Sequence, residues 1–351
     1  MSPLEAVLAE LIAAEGPLPV DRYMGLCLGH PRHGYYMTRD PLGARGDFLT
    51  APEVSQVFGE LIGIWCAGVW SAMGSPATVN LVELGPGRGT LAADACRAIG
   101  RAAPGLAAAL RLHLVETSPV LRAVQRERLA GAAQWHESLA GVPEGPMILL
   151  ANEFFDALPV RQIEKRGGRW HERVIGRSDE GLVLGLGLEV RHAGGVDGDI
   201  LELAPQRAAI GGAIGERLAR DPGAALVIDY GHLVSGTGDT LQAMRDHHHV
   251  PITDRPGESD LTSHVDFAAL ARALAAGGAV VHPALTQRQF LLAMGLEARM
   301  AQLSARSDDQ TAQLLRRQQE RLADEAQMGN LFKVLAATAP GLAVPYPFGP
   351  S

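Results

Sequence analysis

The stretch Val79-Asn-Leu-Val-Glu-Leu-Gly-Pro-Gly-Arg-Gly-Thr90 constrains this chain more than any other. An apolar run carrying an acid near its end passes through glycines 85, 87 and 89 into a segment of helical character. That pattern reads as a buried parallel strand turning tightly into a helix, the place where doubly wound folds bind a nucleotide-like cofactor. In the G-x-G-x-x-G fingerprint of dinucleotide folds, two glycines serve the turn and the approach to pyrophosphate, and the third packs helix on strand. Glycine at every second position departs from that spacing and disfavours a nicotinamide dinucleotide. A tight turn with no ligand is the plain alternative, so the rest of the chain must decide.

The chain alternates around this loop. Residues 79–84 read as strand, 90–100 as helix, 110–116 as strand, 119–130 as helix, with short strands near 133–136 and 146–151. This is the β-α-β rhythm of a parallel sheet. Between 160 and 205 the rhythm breaks into short alternating runs separated by Gly-rich turns, the pattern of an antiparallel insertion. A helix near 206–220, a buried strand at 224–229, a helix-strand unit over 265–281, a polar helix at 310–328 and a strand at 331–338 follow. Ahead of the loop, apolar residues at 4, 7, 8, 11 and 12 mark a helix stopped by Gly16-Pro17. A loop from Cys27 to Asp47 and a long amphipathic helix from Val54 towards Met73 come next. The expected fold is α/β, with a mostly parallel, doubly wound, Rossmann-like sheet. The expected divisions are a helical extension over 1–75, a core over 76–160 and 206–351, and a β-rich insertion over 161–205.

Composition narrows the function classes. The chain has 351 residues, 47% apolar and 20% charged, which suffices for a sizeable core. A formal net charge of -8 argues against nucleic-acid binding, which needs clustered Lys and Arg in excess. Cys27, Cys66 and Cys96 are widely spaced with no C-x-x-C, which speaks against a zinc site or a disulfide framework. Asp246-His-His-His249 presents adjacent histidines that diverge, so no metal is expected there. No apolar run is long enough to span a bilayer, and no membrane insertion is expected. The N-terminus shows neither signal-peptide nor transit-peptide character, and a cytoplasmic location is expected.

Several strand tips carry polar chemistry. Glu116 ends the strand Leu112-His-Leu-Val-Glu, where a doubly wound fold places the acid that holds a ribose, the reading preferred over a plain cap on the helix entered at Ser118-Pro119. Asn152-Glu-Phe-Phe-Asp156 follows the strand 146–151 and would face the reactive end of a cofactor. Its polar groups suit orientation of an acceptor nitrogen, with Glu153 and Asp156 able to hold a protonated guanidinium. Phe154 or Phe155 could face a cation, or both could be core. Asp229-Tyr-Gly-His232 offers a further acid and an imidazole. Thr50-x-x-Glu53 reads as a capping box opening the long helix, whose N-terminus could also receive a ligand carboxylate.

Taken together, these segments resemble the MidA family of class I S-adenosylmethionine-dependent methyltransferases, whose mitochondrial member is a protein arginine methyltransferase assisting assembly of respiratory complex I. The matching stretches are His33–Tyr36, Arg45–Glu60, Glu83–Thr90, Val115–Pro119, Asn152–Pro159, Asp229–His232 and Asp260-Leu-Thr. The resemblance implies S-adenosylmethionine held by Gly46, Asp47 and Thr50, by Glu83, Gly85 and Gly87, and by Glu116 on the ribose. It implies symmetric dimethylation of arginine on a partner protein such as a complex I subunit. Glu153 is expected to lead catalysis, with Asn152, Asp156 and Asp229 assisting. Ala51 stands where the family often has Ser. Self-association as a homodimer is left open. The rival readings are an assembly chaperone that binds the cofactor without turnover and a nicotinamide-dependent oxidoreductase.

Overall fold

The computed structural model describes residues 2–40 and 49–349. Its central sheet is built on the apolar runs read above. We label its six main strands β1 (Val79–Leu84), β2 (Leu110–Val115), β3 (Ala133–His136), β4 (Met147–Asn152), β5 (Gly223–His232) and β6 (Phe332–Thr338). Every residue of β1 and β4 is buried, because helices cover both faces of the sheet and leave no solvent side to alternate towards. The spatial order is β6-β5-β4-β1-β2-β3, parallel from β5 to β3, with β6 antiparallel to β5. Short segments Val280–Val281 and Leu285–Thr286 pair with the outer edge of β6. The order reverses between β1 and β4, so the C-terminal tips of these strands and of β2 open onto one crevice, where such sheets bind ligands.

Two helical layers close the sheet. On one face lie Gln56–Ala72 and Thr90–Ala102, with Phe58, Ile62, Trp65 and Ile99 in the core. On the other lie Pro205–Arg220 and Phe267–Ala276, contributing Ile214, Leu218, Phe267 and Leu274. A third core joins Leu4, Leu8, Tyr23, Tyr35, Val160, Ile175 and Leu261. It lies between the N-terminal segment, the insertion and a small three-stranded sheet.

Local departures from the sequence reading have identifiable causes. Leu18–Pro19 pairs antiparallel with Ile175 and Val174, so the lead-in contributes a strand to the sheet of the insertion, whose strands are Arg161–Arg166, Arg169–Ser178, Gly181–Val190 and Ile200–Leu203. Val20–Gly29 is helical, running past Cys27 where a loop was expected, because Val20, Tyr23, Met24, Cys27 and Leu28 form one buried face. Thr50 and Glu53 do not form the expected capping box. Ala51–Val54 is a separate single turn with no side-chain cap, and Gln56–Ala72 is capped by Ser55, whose hydroxyl accepts from Val57 N. The polar helix ends at Ala323, where Asp324 turns extended. The histidine run is a hairpin: Arg245 pairs with His248, and Asp246 and His247 have φ of 50° and 62°, as a type I′ turn requires.

The helices flanking the glycine turn pack through missing side chains. A Cβ on Gly59 would lie 2.6 Å from Asp94 Cβ, and one on Gly63 would lie 2.6 Å from the Ala95 carbonyl oxygen. Helix Gln56–Ala72 follows the turn Ala51–Val54, and Thr90–Ala102 begins at the glycine turn, so this approach sets the spacing of two cavity walls. Backbone cannot yield as a flexible side chain can. Gly63→Val is therefore expected to lower the unfolding free energy by about 1–3 kcal/mol, the usual cost of overpacking. Urea denaturation measures this, and an unchanged midpoint would contradict the packing argument.

Candidate active site

The turn after β1 is held in a conformation that glycine alone adopts freely. Gly85, Gly87 and Gly89 have φ of 58°, 52° and 75°. A Cβ on Gly85 would also strike Phe154 Cδ2 at 2.7 Å, so the absent side chain brings the backbone against the β4 tip. Glu83 lies buried beneath the turn. Desolvation pushes its carboxyl up to about 8, and its Oε2 has no hydrogen-bond partner among the described residues.

Glu116 follows β2 and has the geometry of both roles open to it. One carboxylate oxygen accepts from Ser118 N at 2.8 Å, at the helix entry, while the other accepts from Gln125 Nε2 at 3.2 Å and the residue lines the cavity. Gln125 is a residue that sequence reading missed. Fully buried, it donates to the Gly87 carbonyl at 2.6 Å and accepts from Trp135 Nε1 at 2.8 Å, so it ties the glycine turn to Glu116. Nothing in a mid-helix glutamine signals this; only the packing of Pro119–Arg128 over the turn brings it there.

At the β4 tip the backbone is forced. Glu153 has φ of 49°, a region costly for a residue with a side chain, and its N–H donates to the Ile228 carbonyl at 2.9 Å. Glu153 Oε1 accepts from Ala51 N at 3.0 Å and from Asn152 Nδ2 at 3.1 Å. The N–H of the turn expected to receive a ligand carboxylate is thus taken by the chain's own acid. Burial is the main force pushing the Glu153 carboxyl up to about 8, with the Asp156 charge adding to it. Asn152 Oδ1 is buried without a partner among the described residues.

Asp229 occupies a different place from the one expected of an acceptor-facing acid. It is fully buried and does not line the cavity. Its Oδ2 accepts from Phe155 N at 3.0 Å and Asp156 N at 3.2 Å, and its Oδ1 from Tyr230 N at 2.9 Å. With its oxygens committed to backbone N–H groups, it braces the 153–156 turn from behind. Burial, then the charges of Asp156 and Glu153, push its carboxyl well above the usual range. Asp156 does line the cavity, and its carboxyl is raised by the same desolvation. The two phenylalanines divide their roles: Phe155 is core and Phe154 lines the cavity, in edge contact at 5.2 Å between centroids.

Arg207 was also invisible in the sequence. From the first turn of helix Pro205–Arg220, its buried guanidinium donates to the carbonyls of His264 (2.7 Å), Asp156 (3.1 Å) and Leu158 (3.2 Å) and to Ser263 Oγ (2.5 Å). It is the buried countercharge to Asp229 and Asp156.

These elements surround a cavity of about 460 Å³. Among its lining residues are Thr50, Glu83, Gly85, Gly87, Glu116, Asn152, Glu153 and Asp156, so the crevice gathers most of the residues singled out above. Gly46 and Asp47 lie outside the described residues. His232 does not line it and stands 4.0 Å from Asp266. Glu53, rather than capping a helix, accepts from Thr90 Oγ1 and lies 3.7 Å from Arg88, which also pairs with Asp40 at 3.1 Å. Among the described residues no group of three or more His, Cys, Asp or Glu gathers as a metal site, and no helix is long and apolar enough to cross a membrane.

A parallel sheet closed by an antiparallel strand, with a glycine turn after its first strand and an acid after its second bordering one cavity, defines the class I methyltransferase fold. The chain belongs to a family of S-adenosyl-L-methionine-dependent methyltransferases, whose model matches residues 61–284. It is 39% identical to the mitochondrial protein arginine methyltransferase NDUFAF7 homolog of Drosophila melanogaster, over 93% of this chain and 82% of that one. It is 34% identical to the NDUFAF7 protein arginine methyltransferase of Homo sapiens, over 96% and 83%. A crystal structure from Burkholderia thailandensis with S-adenosyl-homocysteine bound is similar at 30% identity, with a TM-score of 0.82 over 97% of this chain and 92% of that one. The nicotinamide-dependent reading falls away. The expected cytoplasmic location is also corrected: the NDUFAF7 relatives, matched over most of the chain, are mitochondrial proteins, and the character of the first residues was too weak a sign to oppose that.

The cavity fits S-adenosylmethionine on its own chemistry. Gly85 and Gly87 line it with backbone, Glu116 reaches the space beside them, and the unpartnered Glu83 Oε2 and Asn152 Oδ1 can accept ligand N–H or O–H groups. If Glu116 receives the ribose hydroxyls, Glu116→Gln loses a charge-assisted bond worth about 1.5–3 kcal/mol, and calorimetry with S-adenosyl-homocysteine should show a Kd raised roughly 10–100-fold. Wild-type affinity in that variant would leave Glu116 only its contacts with Ser118 and Gln125.

Proposed function

We propose that this methyltransferase acts on the guanidinium of an arginine in a partner protein, as its NDUFAF7 relatives are named for doing, and that the product is symmetric dimethylarginine. The carrying observation is the acidic lining of the cavity. Among the described residues, six acids, Glu53, Glu83, Glu116, Glu153, Asp156 and Asp260, line it with the single cation Arg88, which itself pairs with Asp40 and Glu53. Such a lining favours cationic ligands. In this reading Gly85, Gly87, Glu83, Glu116 and Thr50 hold the cofactor, with Gly46 and Asp47 assigned there by resemblance alone.

When bound, S-adenosylmethionine supplies an electrophilic methyl group on its sulfonium. The chain's part is positioning and charge. Glu153 and Asp156 hold the guanidinium, Asn152 Oδ1 accepts one of its N–H groups, and Glu153 takes up the proton released as the new nitrogen–carbon bond forms. Asp229 and Arg207 keep the turn in place without touching the acceptor. We assign the lead-in, residues 1–75, and the insertion, 161–205, to grip of the protein substrate. A complex I subunit is the substrate the resemblance suggests, and a homodimer remains a further proposal.

Incubation with labelled S-adenosylmethionine and cell extract, followed by mass spectrometry, tests the reading: the label should reside on arginine. Label confined to other residues, or none, would sink it. The pH dependence follows from Glu153. Its carboxyl titrates at about 8, so it is neutral below that pH and must shed a proton to pair with a guanidinium. The acceptor kcat/KM should therefore rise with pH through about 8. Glu153→Gln should cost roughly 100-fold in kcat and flatten this limb. A wild-type profile that changes by less than about tenfold from pH 6 to 9 removes Glu153 from the role.

A further inference from the structure

One of the acids lining the cavity, Asp260, comes from outside the central sheet and its connecting turns. It opens the short strand Asp260–Thr262, which pairs antiparallel with Gln242–Arg245, Asp260 standing opposite Met244. Side chains alternate along a strand. Leu261 is anchored in the third core, so Asp260 points the other way, and for Asp260 that way is the cavity. The segment is then stitched to the turn that carries Glu153 and Asp156. Ser263 N donates to the Asp156 carbonyl at 3.1 Å, and Arg207 donates to that same carbonyl and to Ser263 Oγ. Val265 and Asp266 continue alongside Gly231 and His232 at the tip of β5. Asp260 is therefore fixed on the β5 side of the crevice, whereas Glu116 follows β2, beyond β4 and β1.

Tyr36 sets this carboxylate. Its Oη donates to Asp260 Oδ1 at 2.8 Å, and its carbonyl accepts from Ser118 Oγ at 2.5 Å, so one residue of the lead-in is pinned at both ends across the cavity it lines. Burial, then the charges of Asp260 and Asp156, hold the phenol well above its usual range, and Tyr36 stays a donor. A single hydrogen bond does not exhaust a carboxylate, which has about four acceptor sites on its oxygens.

A guanidinium calls for acids on more than one side. The ion is planar, with N–H donors around its whole edge. Asn152, Glu153 and Asp156 stand together on the β4 turn and can meet only the part of that edge that faces them. The remaining donors need an acceptor carried by another element, and a charged acceptor makes the stronger bond.

We propose that Asp260 is a substrate-binding residue, whose carboxylate accepts from the guanidinium edge turned away from Glu153. This rests on the arginine reading above and names a second point of attachment for the acceptor, carried by a different element from the first. Asp260 holds the cation alike before and during transfer, so its loss weakens acceptor binding more than turnover.

Asp260→Asn tests this, because the amide oxygen still accepts from Tyr36 while the charge is gone. Initial rates of arginine labelling by labelled S-adenosylmethionine, measured against a dilution series of one cell extract, give an apparent KM and kcat. Calorimetry gives the Kd for S-adenosyl-homocysteine. The variant is expected to raise the apparent KM roughly 10–100-fold, with kcat within about threefold and that Kd within about twofold. An unchanged KM overturns the assignment. So does a parallel loss of S-adenosyl-homocysteine affinity, or a fall in kcat without a rise in KM, either of which would leave Asp260 as a brace for the lead-in. If circular dichroism shows that the Asn variant does not fold, Asp260→Glu, which keeps the charge but displaces it by one methylene, is read in its place against the same criteria. Failure of wild type to label any arginine overturns the arginine reading itself, and this assignment with it, whereas the other outcomes leave that reading standing.

Discussion

The Asp229 carboxylate, accepting the backbone N–H groups of Phe155 and Asp156 in the middle of the fold, is the interaction on which the site depends. The turn it holds follows a central strand, runs through a residue at positive φ and would otherwise leave buried donors without partners. Arg207 completes the arrangement from the other side by donating to carbonyls of the same turn and of residues 263–264. One buried acid and one buried guanidinium thus satisfy opposite halves of the backbone of a single loop. Removing either would leave buried backbone groups of the turn without partners. The acids facing the cavity are set by this frame: Glu153 and Asp156 point inward because the backbone on either side of them is taken.

A second constraint is steric and involves the glycines only where the chain meets itself. Gly85 brings the glycine turn against Phe154, and Gly63 brings one flanking helix against the backbone of the other. Both contacts fix walls of the cavity by letting one part of the chain approach another more closely than a side chain would allow.

Much of the sheet was legible because its strands are buried on both faces and read as unbroken apolar runs, β1 and β4 above all. The glycine turn and Glu116 were legible for a related reason, since backbone strain and an acid at a strand tip leave marks in a local window. The capping box was misread because the local rule assigns Glu53 to its own helix, whereas Thr90 and Arg88, distant in sequence, take its carboxylate. Asp229 was found as a residue and misplaced in role: a strand-tip acid looks the same whether it faces a ligand or a backbone. Gln125 and Arg207 were not legible at all. Each acts at the site from a helix interior or first turn through tertiary packing, and neither periodicity nor spacing records a partner many residues away.

The raised carboxyls at Glu153 and Glu83 explain how so acidic a cavity can exist in a stable fold. Fully ionised, the lining would repel itself in a poorly solvated space; desolvation instead favours the neutral acids and lifts both to about 8. A neutral carboxyl repels no neighbour and attracts no cation strongly. A bound cation reverses the balance, because an opposite charge within a few ångströms favours the ionised form and pulls the carboxyl back down. Cation binding and proton release are then linked, and the cavity acquires its negative charge only as the ligand supplies the positive one. On the reading proposed above, methyl transfer leaves the guanidinium cationic once its proton has passed to Glu153; that carboxyl is then neutral and no longer attracts the product cation, which favours release.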